Sequence, residues 1–100
     1  GRSTLRDEAL KALAAPTRRA SALQLGLASF AYLAPDEALN ALEQHRRDLR
    51  LRLENLRQRW EDQKPLPYFV DAMFEHATAM GGAELHWIGK FIRQVRRHVR

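Results

Sequence analysis

Two long helical patterns, broken at Lys64-Pro65-Leu66-Pro67, constrain this 100-residue chain more than any other feature. Proline has no amide proton to give to a helix, and its ring clashes with the preceding turn, so the break separates two elements. Before it, apolar side chains fall at Leu39, Leu42, Leu49, Leu53, Leu56 and Trp60. With Arg46 counted into the series, the steps alternate between three and four residues. That alternation is a heptad seam, a narrow stripe that one helix buries against another. Ala34-Pro35-Asp36-Glu37 opens this element, with proline at a first helical position and two acids beside the positive helix end. The pattern then runs to Lys64, roughly 40 Å at 1.5 Å per residue. A helix of that length needs a partner along it.

The second pattern starts near Pro67. Its apolar face reads Phe69, Met73, Ala77, Met80, Trp87, Ile88, Phe91, Val95 and Val99. Its polar stripe reads Asp71, Glu75, Thr78, Gly82, His86, Lys90, Arg93 and Arg97. The apolar phase is the same on both sides of Gly81-Gly82, so the helix is expected to run through the pair. The glycines mark a local kink or a close backbone approach. A short linker between two long helices predicts an antiparallel hairpin. With the turn centred between Pro65 and Leu66, facing residue numbers sum to about 131. Leu56 is then expected opposite Met73 to His76, and Leu42 opposite Trp87 to Ile88. Arg46, the polar member of the first seam, falls opposite Glu84 to Leu85. Glu84 is itself an acid on an apolar face, so an Arg46–Glu84 ion pair is expected, fixing register more than adding stability.

Two shorter patterns precede the hairpin. Thr4 suits the cap of a first helix, with Asp7 and Glu8 in its first turn, Leu5, Ala9, Leu10 and Leu13 on one face, and Pro16 ending it. Thr17 suits the cap of a second, whose face carries Ala20, Leu23, Leu27, Phe30 and Ala31. Leu25, Tyr32 and Leu33 widen that face, and Gly26 suggests a close helix contact. The expected fold class is all-α: two short helices, then a long antiparallel helical hairpin, coiled-coil-like and dimeric. A chain of this size buries a modest share of its surface, which favours pairing.

Composition narrows the function. Cysteine is absent, which removes disulfides, thiolate metal sites and thiol nucleophiles and suits a reducing, cytoplasmic setting. Leu25 to Ala34, the longest apolar run, is too short for a bilayer, and no membrane partner is expected. His45, His76, His86 and His98 form no i, i+4 pair, and no HExxH motif, catalytic triad or phosphate loop occurs. The chain is expected not to be an enzyme and to carry no metal or cofactor. The net charge of +5 rests on arginine, interleaved with Glu43, Asp48, Glu54 and Glu61 as on a solvated helix face. Two alternatives stay open. The arginines from Arg46 to Arg59 and from Arg93 to Arg100 suit phosphates, the mark of a standalone nucleic-acid-binding helical protein. Trp60, Trp87, Tyr68 and Phe69 suit an aromatic-lined pocket, the mark of an effector-sensing domain.

Leu23 to Leu49 passes from an apolar helix through a Pro-acid-Glu-Ala-Leu opening into a Leu-rich helix. Tyr68-Phe69, Phe74-Glu75-His76 and Ala83-Glu84-Leu85-His86-Trp87-Ile88 follow in order. This succession resembles the C-terminal domain of PadR-like transcriptional regulators, the virulence activator alpha type, over most of residues 5 to 99. Ile88, where that family usually has leucine, and Gly81-Gly82 depart from its pattern. The resemblance implies that residues 1–16 are a connecting helix after a winged-helix domain missing from this chain, and that residues 17–100 are a helical dimerisation domain. It further implies a homodimer that reaches operator DNA through the missing domains, with a small-molecule effector as a further possible partner. The residues expected to form core and dimer interface are Leu23, Leu27 and Phe30, the seam from Leu39 to Trp60, and the face from Phe69 to Val95.

Overall fold

The computed structural model describes residues 1–16 and 21–99, and the described residues are helical with short connections. They group into two units, Gly1–Ala31 and Tyr32–Arg100.

In the first unit, α1 spans Arg2–Ala14. Gly1 sits at its N-cap, and the Leu5 amide donates to the Gly1 carbonyl at 3.2 Å. Thr4 therefore lies inside the first turn instead of capping it, because the helix starts earlier than its polar residues suggested. Ala15 is extended, with ψ at 130°, as the ring of the following Pro16 requires. Leu5, Leu10 and Leu13 are all exposed. The second helix, α2, spans Ala22–Ala28 and is followed by a 3-10 turn at Phe30–Tyr32. Ser21 caps it: the Gln24 amide donates to the Ser21 hydroxyl at 3.1 Å. The expected cap at Thr17 and the expected face residue Ala20 lie outside the described residues. Leu23, Leu27 and Phe30 are half-buried. A Cβ built on Gly26 would meet nothing within 4 Å, so Gly26 marks no close contact.

The second unit is the hairpin of α3, Pro35–Gln63, and α4, Tyr68–His98. Pro35 occupies the first turn of α3 with Asp36 and Glu37. The Ala34 amide donates to the Glu37 carboxylate at 2.9 Å, which satisfies one N–H left over at the helix start. Lys64 and Pro67 are extended at either end of the linker, and the Lys64–Pro65 peptide is cis. Gly81-Gly82 does not interrupt α4. Arg96, Arg97 and His98 occupy its last turn, where positive charge suits the carbonyl end of the helix dipole.

The hairpin closes on Ala38, Leu42, Leu49 and Leu53 from α3, and Ile88, Ile92 and Val95 from α4, all buried. Ile88 and Ile92 are fully enclosed. Gly81 of α4 faces the Leu53 side chain of α3. A Cβ there would lie 2.6 Å from Cδ2 of the buried Leu53. At this contact Leu53 meets Gly81, three residues beyond the Thr78 of the symmetric-turn argument, while Trp60 meets Asp71 on the expected sum of 131.

Two alanine substitutions separate packing from helix propensity. Both Gly81→Ala and Gly82→Ala gain about 1 kcal/mol of helix propensity. Gly82 has nothing within 4 Å of its missing Cβ, so Gly82→Ala should raise the thermal midpoint. Gly81→Ala drives a methyl into Leu53, an overpacking that costs about 1–3 kcal/mol. Its midpoint should fall below that of Gly82→Ala, as read by circular dichroism during heating.

Candidate interaction surface

Each edge of the α3–α4 seam is tied by one acid. On one edge Glu43 accepts from Arg46 at 2.6 Å and from Arg96, at the far end of α4, also at 2.6 Å. On the other, the His45 ring and the Glu84 carboxylate meet at 3.2 Å, both partly exposed. The expected Arg46–Glu84 pair does not form. Consecutive helix residues point about 100° apart, so Arg46 and His45 flank the seam on opposite edges. Glu84 lies on the His45 edge, while Arg46 lies with Glu43 and Arg96.

The turn end is tied by aromatics. The Trp60 indole N–H donates to the Asp71 carboxylate at 2.6 Å. Its ring stacks on Phe74 with centroids 6.0 Å apart, and Lys64 Nζ lies 5.0 Å from the ring centroid. Trp60 is thus committed to joining α3 to α4. Trp87 stacks on Phe91 at 5.1 Å, and Tyr68 meets Phe69 edge-on at 5.6 Å. Trp87 lies about 20 Å beyond Phe74 along α4 at 1.5 Å per residue. The aromatic residues expected to line one pocket do not converge.

Two heptad seams run side by side on α4. The one facing α3 is Phe74, Thr78, Gly81, Leu85, Ile88, Ile92 and Val95, all buried or half-buried. Its steps alternate four and three, matching the steps on α3. One residue earlier at each step runs the second seam: Met73, Ala77, Met80, Glu84, Trp87 and Phe91. Met73 is 68% exposed, Met80 59%, and Phe69 at the same edge 61%. Trp87 is exposed and Phe91 half-buried.

The expected interface residues therefore divide. Leu42, Leu49, Leu53, Ile88 and Val95 are buried, and Leu39, Leu56, Trp60 and Phe91 are half-buried. Phe69, Met73, Met80 and Trp87 remain open on α4. Ala38 and Ile92 are buried yet were not among the residues expected in the core, and the half-buried Thr78 was assigned to the polar stripe. The signal for Ile92 and Thr78 was the four-three spacing running back and forward from Ile88. Thr78 Oγ1 is buried with no hydrogen-bond partner, a polar atom inside an apolar seam.

Among the described residues, no group of three or more His, Cys, Asp or Glu side chains could hold a metal ion, and no helix is long and apolar enough to cross a membrane. Compared with protein-family models, with curated proteins and with solved structures, the chain matches none.

Two substitutions test the assignment of the inner seam. Ile92→Ala empties a fully enclosed site and should cost about 2–5 kcal/mol of stability in urea unfolding. Thr78→Val removes an unpaired buried hydroxyl and should stabilise by about 1 kcal/mol.

Proposed function

We propose that this chain is the homodimerisation domain of a PadR-like bacterial transcription regulator. In this reading its work is to hold two chains together. Winged-helix domains joined to it on the N-terminal side would meet operator DNA, with their spacing set by the dimer. The observation that carries the reading is the open apolar stripe on α4, Phe69, Met73, Met80 and Trp87, beside a seam already filled by α3. Large apolar side chains aligned at heptad spacing on a helix surface mark a surface built for another chain. The order of sequence motifs from Leu23 to Ile88 supplies the family half of the proposal.

Solution mass over a dilution series tests it. The chain should have the mass of two copies in the micromolar range and dissociate on dilution. Met80→Glu places a carboxylate in the centre of the stripe and should weaken the dimer at least tenfold, about 1.4 kcal/mol. Its helix content should stay unchanged, because Met80 is mostly exposed within the chain. A monomer throughout the series overturns the reading. Salt-steep binding of duplex DNA by this chain alone would instead support direct phosphate recognition by its arginines.

A further inference from the structure

The cations of the two long helices are set among acids in different ways. On α3 each of the six arginines from Arg46 to Arg59 has an acid three or four residues away, as Arg50 and Arg57 have Glu54. That interleaving is the pattern of a solvated helix face. On α4 no acidic residue follows Glu84. Arg96 finds Glu43 across the hairpin. Lys90, Arg93 and Arg97 are exposed and belong to no ion pair among the described residues. Lys90 with Arg93, and Arg93 with Arg97, are like charges three and four residues apart, a spacing that weakens a helix. The helix dipole accounts for Arg97 in the last turn. It does not account for Lys90 and Arg93, because its effect fades within that turn.

The three cations share one side of α4. At about 100° per residue they fall roughly 140° to 180° round the helix from the buried Ile88, on the side away from α3. Met80 and Trp87 lie about 80° to 100° from Ile88 in one direction, so the cations belong neither to the inner seam nor to the open apolar stripe. Toward the turn, the same side continues through the exposed His86, Ala83 and Ala79, with no large apolar residue to enter a lipid layer. From Lys90 to Arg97 the row spans about 10 Å at 1.5 Å per residue. One strand of duplex DNA carries a phosphate about every 3.4 Å of axis, so about three phosphates run past three cations.

We propose that Lys90, Arg93 and Arg97 form a docking row for the phosphate backbone of duplex DNA. Charge complementarity selects this occupant: a strand of phosphates supplies, at matching length, the anions that α4 itself lacks. The two guanidinium groups suit phosphate oxygens, which they can grip in bidentate fashion. Contacts of this kind position a chain on DNA without reading its bases. The row is independent of the dimer reading, which solution mass decides, and either can fail alone.

Fluorescence anisotropy of a short labelled duplex, titrated with the whole chain at several low salt concentrations, tests the row. Binding should weaken as salt rises with a log–log slope of about −2.7 per chain, three phosphates at about −0.9 each. Two duplexes of unrelated sequence should bind equally. Lys90→Gln/Arg93→Gln/Arg97→Gln should weaken binding about tenfold or more at the lowest salt and flatten the slope toward zero. Arg52→Gln/Arg57→Gln/Arg59→Gln removes the same charge from α3 and should leave the affinity nearly unchanged. Glutamine is nearly as good a helix former as lysine or arginine, so helix content by circular dichroism should hold in both variants. Arg93→Lys/Arg97→Lys keeps the charge and should keep the binding, which separates a loss of contact from a loss of fold. Absence of binding at the lowest salt overturns the row. So does an equal loss in the α3 variant, which would make net charge the cause, or full binding by the α4 glutamine variant. Binding to phosphatidylserine vesicles with none to the duplex overturns DNA as the occupant.

Discussion

The approach of Gly81 to Leu53 is the contact on which the hairpin depends. Glycine inside a helix costs about 1 kcal/mol relative to alanine. Here that cost admits a leucine side chain to the surface of α4, at a site where even a methyl would lie 2.6 Å from Leu53 Cδ2. With the helices held this close, Ile88 and Ile92 are covered completely further along the seam. At the two ends of the same hairpin, Trp60 reaches Asp71 and Phe74 at the turn and Glu43 reaches Arg96 at the open end.

The charged edges follow from this geometry. Glu43 serves two arginines at once, one on its own helix and one on α4. Exposed pairs of this kind add little stability singly, but a shared acid bridging two helices disfavours axial sliding. His45 and Glu84 do the same on the opposite edge. The two bridges flank the apolar seam, so a slip of the hairpin would break both together.

The hairpin itself was legible in the sequence. The prolines between Lys64 and Pro67 mark the turn, the Pro35 opening marks the start of α3, and the four-three steps on α3 mark its buried stripe. The phase of α4 was not legible in the same way. Two apolar seams lie one residue apart there, and a reading that favours large side chains selects Met73, Met80 and Trp87 over Thr78, Gly81 and Ile92. Residue size indicated hydrophobicity, whereas the inner seam has a glycine where the Leu53 side chain packs. The Arg46–Glu84 expectation failed for a related reason. It matched residues by axial position alone, and the angular position of each around its helix placed them on opposite edges.

The two seams give α4 apolar residues on two faces. An apolar stripe facing one neighbour spans little more than about 100° of a helix. Seams offset by one residue are themselves about 100° apart. A single neighbour therefore cannot cover both, and α3 covers the one containing Gly81. On α3, by contrast, Leu51 is the large apolar residue left exposed, among arginines and acids. The apolar surface therefore continues around α4 and stops on α3. Ile88 and Ile92 are buried on one face of α4, and the aligned methionines and Trp87 beside them define the face that α3 leaves open.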